Sequence, residues 1–229
     1  MLKLIRLEWG KNQIGKYFRN AAILTATLLI LIILVASELD GDTTISLYGE
    51  NMVNASIELF THMSYIIFTG VMLSAFIVST YETKTIHLMF SYPIKRQKIL
   101  LSKIFAVWIF NFFALVLSKL VIYIVLLLTK SLTHISASSI QIGDLSFWLN
   151  IIFSSAVMIS ISYISLLVGL KMKSAKAAII TSVVVATFTQ GNIGTYTLVN
   201  SVPFYTILFV LSVVSMFLSI YNAETKDVM

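Results

Sequence analysis

"IFAVWIFNFFALVLSKLVIYIVLLLT", residues 104 to 129, is the stretch from which the fold is read. A helix rises about 1.5 Å per residue, so this run exceeds the roughly 30 Å hydrocarbon core of a bilayer. Its one charged residue is Lys119. The apolar residues occupy every side of a helix, as expected of one surrounded by lipid and other helices. A transmembrane strand would alternate apolar and polar residues over about ten positions, and that alternation is missing. The stretch therefore reads as a membrane-spanning helix.

Five further runs of this kind lie at 20–37, 57–79, 147–170, 175–190 and 202–221. The 229 residues are 58% hydrophobic and 11% charged, against roughly 25% charged in an average soluble domain. No segment between the runs is long enough to hold a core of its own. The expected fold class is all-α: a polytopic membrane protein with six transmembrane helices, forming one transmembrane domain over residues 1–229. Residues 1–19, "MLKLIRLEWGKNQIGKYFR", read as an interfacial helix. Leu4, Leu7, Ile14 and Phe18 form an apolar stripe that Lys11 interrupts, with Leu2, Ile5 and Trp9 on the other side. A cleavable leader ending near "ILVAS" (33–37) is set aside, because the basic segment is long and the run ends in an acidic loop.

Charge orients the chain. Basic residues stay on the cytoplasmic side of a membrane, and 13 of the 16 fall in the N-terminal segment, the second connector and the fourth. These are Lys3, Arg6, Lys11, Lys16 and Arg19, then Lys84, Lys95, Arg96, Lys98 and Lys103, then Lys171, Lys173 and Lys176. The first connector carries only Glu38, Asp40, Asp42 and Glu50, and "QGNIGTYTLVNS" (190–201) carries no charge. Both termini are therefore expected in the cytoplasm. The net charge of +6 is accounted for by topology and contact with anionic membrane lipid, so no nucleic acid is expected. "KMKSAK" (171–176) is short enough to force a helical hairpin. The segment 191–202 reads equally as a re-entrant element or a tight external loop.

Residues for bond-making chemistry are scarce. With no cysteine there is no disulfide or thiolate. His62, His87 and His134 are assigned no carboxylate partner on a shared helix face, so no metal site or enzyme activity is expected. No phosphate-cradling G-x-x-x-x-G-K-[ST] occurs, so ATP, if used, belongs to another chain. Lys119 lies deep in its span, where a lysine costs about 2.5 to 3.5 kcal/mol unless it finds a partner, water or a snorkelling route. It reads as a translocation-path or inter-helix residue, with Glu58 as candidate partner, or as a snorkelling side chain.

The second connector, "YETKTIHLMFSYPIKRQKILLSK" (81–103), holds Pro93, one of two prolines. Proline fits the first turn of a helix, where its missing N–H falls among unpaired donors. A short helix, a break and a restart are expected. With its glutamate after span two, apolar-basic turn, Pro followed by basic residues, then Ile-Leu and a lysine entering span three, this stretch resembles the ABC-2 family of transporter permeases. The likeness extends to the basic N-terminal helix, the six spans, "GLKMKSAKAA" (169–178) and the short tail "YNAETKDVM" (221–229).

The resemblance implies a permease without enzymatic activity of its own. It would pair with two copies of an ATP-binding subunit that carries ATP and magnesium, and with a second permease copy or a paralogue, in a bacterial cytoplasmic membrane. Glu82 would match the family glutamate. Thr83, Lys84, Ile86, His87, Leu88, Met89 and Phe90 would belong to the coupling helix that docks on the ATPase, and Pro93, Lys95 and Arg96 to the break and basic restart. Lys171, Lys173 and Lys176 would form the second contact. The implied cycle is alternating access, with spans one, two and five rearranging around a central path. The implied substrate is an amphipathic peptide or peptide antibiotic. The competing expectation is an ion-coupled carrier or channel that needs no ATPase.

Overall fold

The computed structural model describes residues 2–40, 49–83, 96–130, 145–190, 192–193, 196–197 and 202–225. Among these the chain is helical apart from two short strands. Its elements are α1 (Leu2–Lys11), α2 (Ile14–Asp40), α3 (Gly49–Leu73), a π-helical turn (Ser74–Val78), α4 (Ser79–Glu82), α5 (Arg96–Lys130), α6 (Leu145–Ile161), α7 (Tyr163–Met172), α8 (Ala175–Gln190), β1 (Asn192–Ile193), β2 (Tyr196–Thr197) and α9 (Val202–Thr225). The strands pair antiparallel, Asn192 opposite Thr197 and Ile193 opposite Tyr196. The described part of segment 191–202 is thus a small hairpin.

Among the described residues, five stretches are long and apolar enough to cross a membrane: Ile14–Ala36, Val53–Glu82, Gln97–Thr129, Leu145–Met172 and Phe204–Tyr221. The sixth expected span, α8, has 16 residues, about 24 Å of helix at 1.5 Å per residue and short of the hydrocarbon thickness. Its start is fixed by the turn before it. Lys173 is left-handed (φ 48), its N–H bonds Leu170 O at 3.3 Å, and the Ser174 N–H bonds Gly169 O at 3.2 Å. These two bonds make a Schellman stop, here with lysine where glycine is usual, at a cost of about 1–2 kcal/mol.

The N-terminal segment is divided differently from expectation. The first helix ends at Lys11 and the spanning helix begins at Ile14, inside the stretch read as one interfacial helix. The break is a left-handed Gln13 (φ 49). Next to it the Asn12 amide donates to Glu8 O at 3.1 Å and to Glu8 Oε2 at 3.3 Å. Gly10 and Gly15 flank the break, but the left-handed position falls on Gln13.

The first three spans run successively antiparallel: Tyr17 and then Thr25 of the first meet Phe76 and then Tyr65 of the second, and Lys103 and then Ala114 of the third meet the same two residues. Thr25 and Tyr65 hydroxyls meet at 3.3 Å, Tyr65 donates to Ala114 O at 3.1 Å, and Tyr205 donates to Thr189 O at 3.2 Å. More than half of the apolar windows of the second and fourth spans are buried, against 17% for the first and last. The second and fourth spans are therefore central, and α2 and α9 peripheral. Two core clusters divide the bundle lengthwise. Leu28, Ile32, Ile57, Leu115, Ile122 and Ile151 pack in one half. Leu73, Phe76, Ile104, Leu166 and Ala178 pack in the other, where Met216 and Ile220 of α9 also reach. We call this second half the elbow end, because α1 turns into α2 there.

Between helices in lipid, close packing and hydrogen bonds replace the hydrophobic drive. Gly70 shows the closest approach: a Cβ there would fall within the side chain of Ser182. At Gly169 a Cβ would stand 2.6 Å from that of Ala178. These two glycines bring α3 and α7 against α8. The fourth span is interrupted once, at Ser162. The Ser162 hydroxyl donates to Ile159 O at 2.6 Å and the Ser165 hydroxyl to Ser162 O at 2.7 Å, and serine back-bonding of this kind bends helices.

Candidate functional site

Helix α5 buries two lysines, and each organises a polar site. Near the far end, Lys119 is wholly buried. Its ammonium donates to Ser154 Oγ at 3.1 Å and lies 3.8 Å from Glu58 Oε1. The hydrogen bond is to serine, and the carboxylate supplies charge balance at slightly longer range. The Glu58 side chain is 32% exposed, so the pair is closed on the lysine side and open on the carboxylate side. Tyr123 and Tyr205 lie within electrostatic reach of Glu58, and His62 within reach of Lys119. His62 is buried, and its Nε2 has no hydrogen-bond partner among the described residues.

Sequence reasoning chose Lys119 and proposed Glu58, and the structure brings them together. It overlooked that Glu58 and His62 stand four apart and so share a helix face. That spacing was the available signal. Ser154 carried none, because serines are common throughout the spans. No group of three or more metal-ligating side chains occurs among the described residues.

At the elbow end, the π-helical turn is the centre. Such a turn shifts hydrogen bonding from i+4 to i+5, which leaves carbonyls needing other donors. Three consecutive carbonyls receive them. Ser79 Oγ donates to Ala75 O at 2.7 Å, Lys103 Nζ to Phe76 O at 3.0 Å and Thr80 Oγ1 to Ile77 O at 2.6 Å. Lys103 is buried, with Glu8 and Lys11 of α1 within electrostatic reach. Helix α1 is held beside it by the Trp9 indole, which donates to Ala106 O at 3.2 Å. Tyr17 sets its ring edge-on to Phe76, centroids 5.3 Å apart.

The same turn grips the start of α8. Ser74 Oγ donates to Ala175 O at 3.0 Å. Glu82 Oε2 accepts from the Ala175 N–H at 3.1 Å, a carboxylate at a helix N-terminus, where the dipole favours negative charge. Glu82 is thus engaged within the chain, at the α7–α8 junction that Lys171, Lys173 and Lys176 surround. Those three side chains are exposed. Thr83 donates its hydroxyl to Ser79 O at 2.8 Å and ends α4.

Lys84, Ile86, His87, Leu88, Met89, Phe90, Pro93 and Lys95 lie outside the described residues, as does the side chain of Arg96, where α5 begins. Lys103 was counted in the sequence as an orienting charge and as the lysine entering span three, not as a buried site residue, and Glu8 was not singled out. A lysine nearly two turns inside the apolar stretch Gln97–Thr129 was the missed signal.

The fold and its buried polar contacts define the class: a multi-pass, all-helical membrane protein. No protein-family model matches the chain, and no solved structure matches it. The chain is similar to the uncharacterized protein YcbO of Bacillus subtilis (strain 168), with 25% identity over 234 residues that cover 99% of this chain and 100% of that protein.

Proposed function

We propose that the chain is the permease subunit of an ATP-driven exporter of the ABC-2 type, acting on an amphipathic peptide or peptide antibiotic in a bacterial cytoplasmic membrane. The single observation that carries this reading is the bond from Ala175 N–H to Glu82. It ties the end of span two, from which the proposed coupling helix departs, to the start of α8, just past Lys171 and Lys173. Two connectors read as ATPase contacts are thereby linked at one end of the bundle. A force applied there has a packed route inward through the π-helical turn, which meets the requirement that coupling pass through connected elements.

In this reading the elbow end faces the cytoplasm, both termini lie there, α1 rests at the membrane interface, and α8 with its hairpin completes a sixth crossing. ATP and magnesium sit on the partner subunits, and two permeases share the path. The ion pair of Lys119 and Glu58 stands beside that path. A second reading, an ion-coupled carrier, is favoured by one observation: Glu58, Lys119 and His62 gather ionisable groups at one depth, as proton relays do.

The test is purification of the chain with the proteins that accompany it. Recovery of an ABC ATPase whose hydrolysis is stimulated by the permease supports the first reading. Transport by the chain alone in vesicles, driven by a pH gradient, would replace it with the second. In the first case Glu82→Ala lowers transport per ATP hydrolysed without loss of membrane insertion. Unchanged coupling in that variant would remove Glu82 from the coupling path.

A further inference from the structure

The surroundings of Lys119 hold more hydrogen-bonding capacity than their contacts use. An ammonium carries three N–H donors, and Lys119 places one on Ser154 Oγ at 3.1 Å. Its approach to Glu58 Oε1, at 3.8 Å, is longer than a hydrogen bond, so donors remain. Within electrostatic reach of that ammonium, His62 is 3% exposed, and its Nε2 has no hydrogen-bond partner among the described residues. The Ser155 hydroxyl, next to Ser154 and wholly buried, is in the same condition. Ser155 stands four residues from both Ile151 and Ile159, which pack in one core cluster with Ile57 and Tyr65 of α3. It therefore lies on the face of α6 turned toward the helix that carries His62. Native interiors rarely leave such groups unpaired, and two at one level of a bundle call for a shared partner.

The chemistry of the site selects that partner. The Lys119 ammonium repels a cation and the Glu58 carboxylate repels an anion, so the occupant is neutral. Imidazole Nε2 accepts a hydrogen bond in one neutral tautomer and donates in the other, and a hydroxyl does both. Water matches every combination, because it donates twice and accepts twice. A buried water ordinarily makes about three hydrogen bonds, and Lys119, His62 and Ser155 supply three. The way in is Glu58, whose side chain is 32% exposed and which shares a helix face with His62, four residues on.

We propose that Lys119, His62 and Ser155 bind a water molecule between α3, α5 and α6, and that this water exchanges with the medium along the Glu58 side chain. The ammonium donates to the water oxygen, and the water pairs with His62 Nε2 and the Ser155 hydroxyl. His62 thereby gains a route for proton exchange despite its burial. The inference does not depend on the transport reading.

The experiment is hydroxyl-radical footprinting of the full-length protein in detergent, with radicals made by X-ray radiolysis of water and oxidised residues located by mass spectrometry. Radicals formed from a bound water attack the side chains that touch it, so a buried residue is labelled only where water reaches it. His62 should be oxidised. Phe76, 1% exposed and packed in the other core cluster, should not. Lys119→Met removes the ammonium donor and should abolish labelling of His62 while Phe76 stays protected. Ser155→Ala deletes a single hydroxyl and should lower His62 labelling, which tests the same site even if Lys119→Met folds poorly. His62 labelled no more than Phe76 in the parent protein would overturn the proposal. So would His62 labelling that is unchanged in Ser155→Ala, or in Lys119→Met with Phe76 still protected.

Discussion

Lys103 and Lys119 lie on one helix and are both buried, yet they are neutralised in different ways. Lys119 meets a carboxylate across the bundle and a serine on α6. Lys103 donates to a backbone carbonyl freed by an irregular turn, with the Glu8 charge within electrostatic reach. The first arrangement balances charge, and the second repairs backbone. The difference matters because an unpaired charge in a low-dielectric interior costs more than an unpaired carbonyl. The far end should therefore be the site whose disruption is most destabilising, and the elbow end the site whose disruption is local and mechanical.

The largest expected effect follows from breaking the ion pair on one side. Glu58→Gln leaves the Lys119 ammonium buried without its counter-charge and should destabilise by about 3–5 kcal/mol, read as a lowered thermal midpoint in detergent. Lys119→Met should cost less, because the Glu58 side chain is 32% exposed and can turn outward. The double variant E58Q/K119M should recover most of the loss. A Glu58→Gln protein as stable as the parent would mean that the pair carries no buried charge balance.

Lys103→Met comes next. It leaves Phe76 O without its donor, at about 1–3 kcal/mol. Hydrogen exchange should rise through Ser74–Glu82 and at the start of α8, and remain unchanged around Lys119. Equal loosening at both ends would erase the distinction between a local repair and a global charge balance. The smallest stability effect is expected for Glu82→Gln, which keeps an oxygen acceptor for Ala175 N–H and removes only the charge at the helix terminus, about 0.3–1 kcal/mol. If the transport reading holds, the same substitution lowers coupling well out of proportion to that loss.

Much of this was legible in the chain. Run length against bilayer thickness located five helices able to cross, because an apolar run reports its surroundings without reference to other residues. Lys119 stood out for the same reason, as a charge where charge is costly. The lengths of α1 and α2 were not legible. Gln13 takes a left-handed conformation that glutamine does not favour, and Asn12 and Glu8 stabilise the break through side chains. The π-helical turn was hidden too: Ser74–Val78 contains neither proline nor glycine, and its irregular carbonyl is completed by Lys103, distant in sequence. The bounds of α8 were legible, since the run read at 175–190 is the helix Ala175–Gln190; the Schellman stop on lysine that precedes it was not.

What the sequence alone determined is that this chain enters a membrane as several helices, since hydropathy and length are properties of each segment by itself. Which polar groups meet was decided only in three dimensions. Close approach at Gly70 and Gly169 seats α3 and α7 against α8, near the bond from Ala175 to Glu82, and the packing of α5 along the second span brings Lys119 to Glu58 and Lys103 to Phe76 O. In a medium without water, each such group must find a partner within the protein, and the partner's identity depends on packing that no single segment encodes.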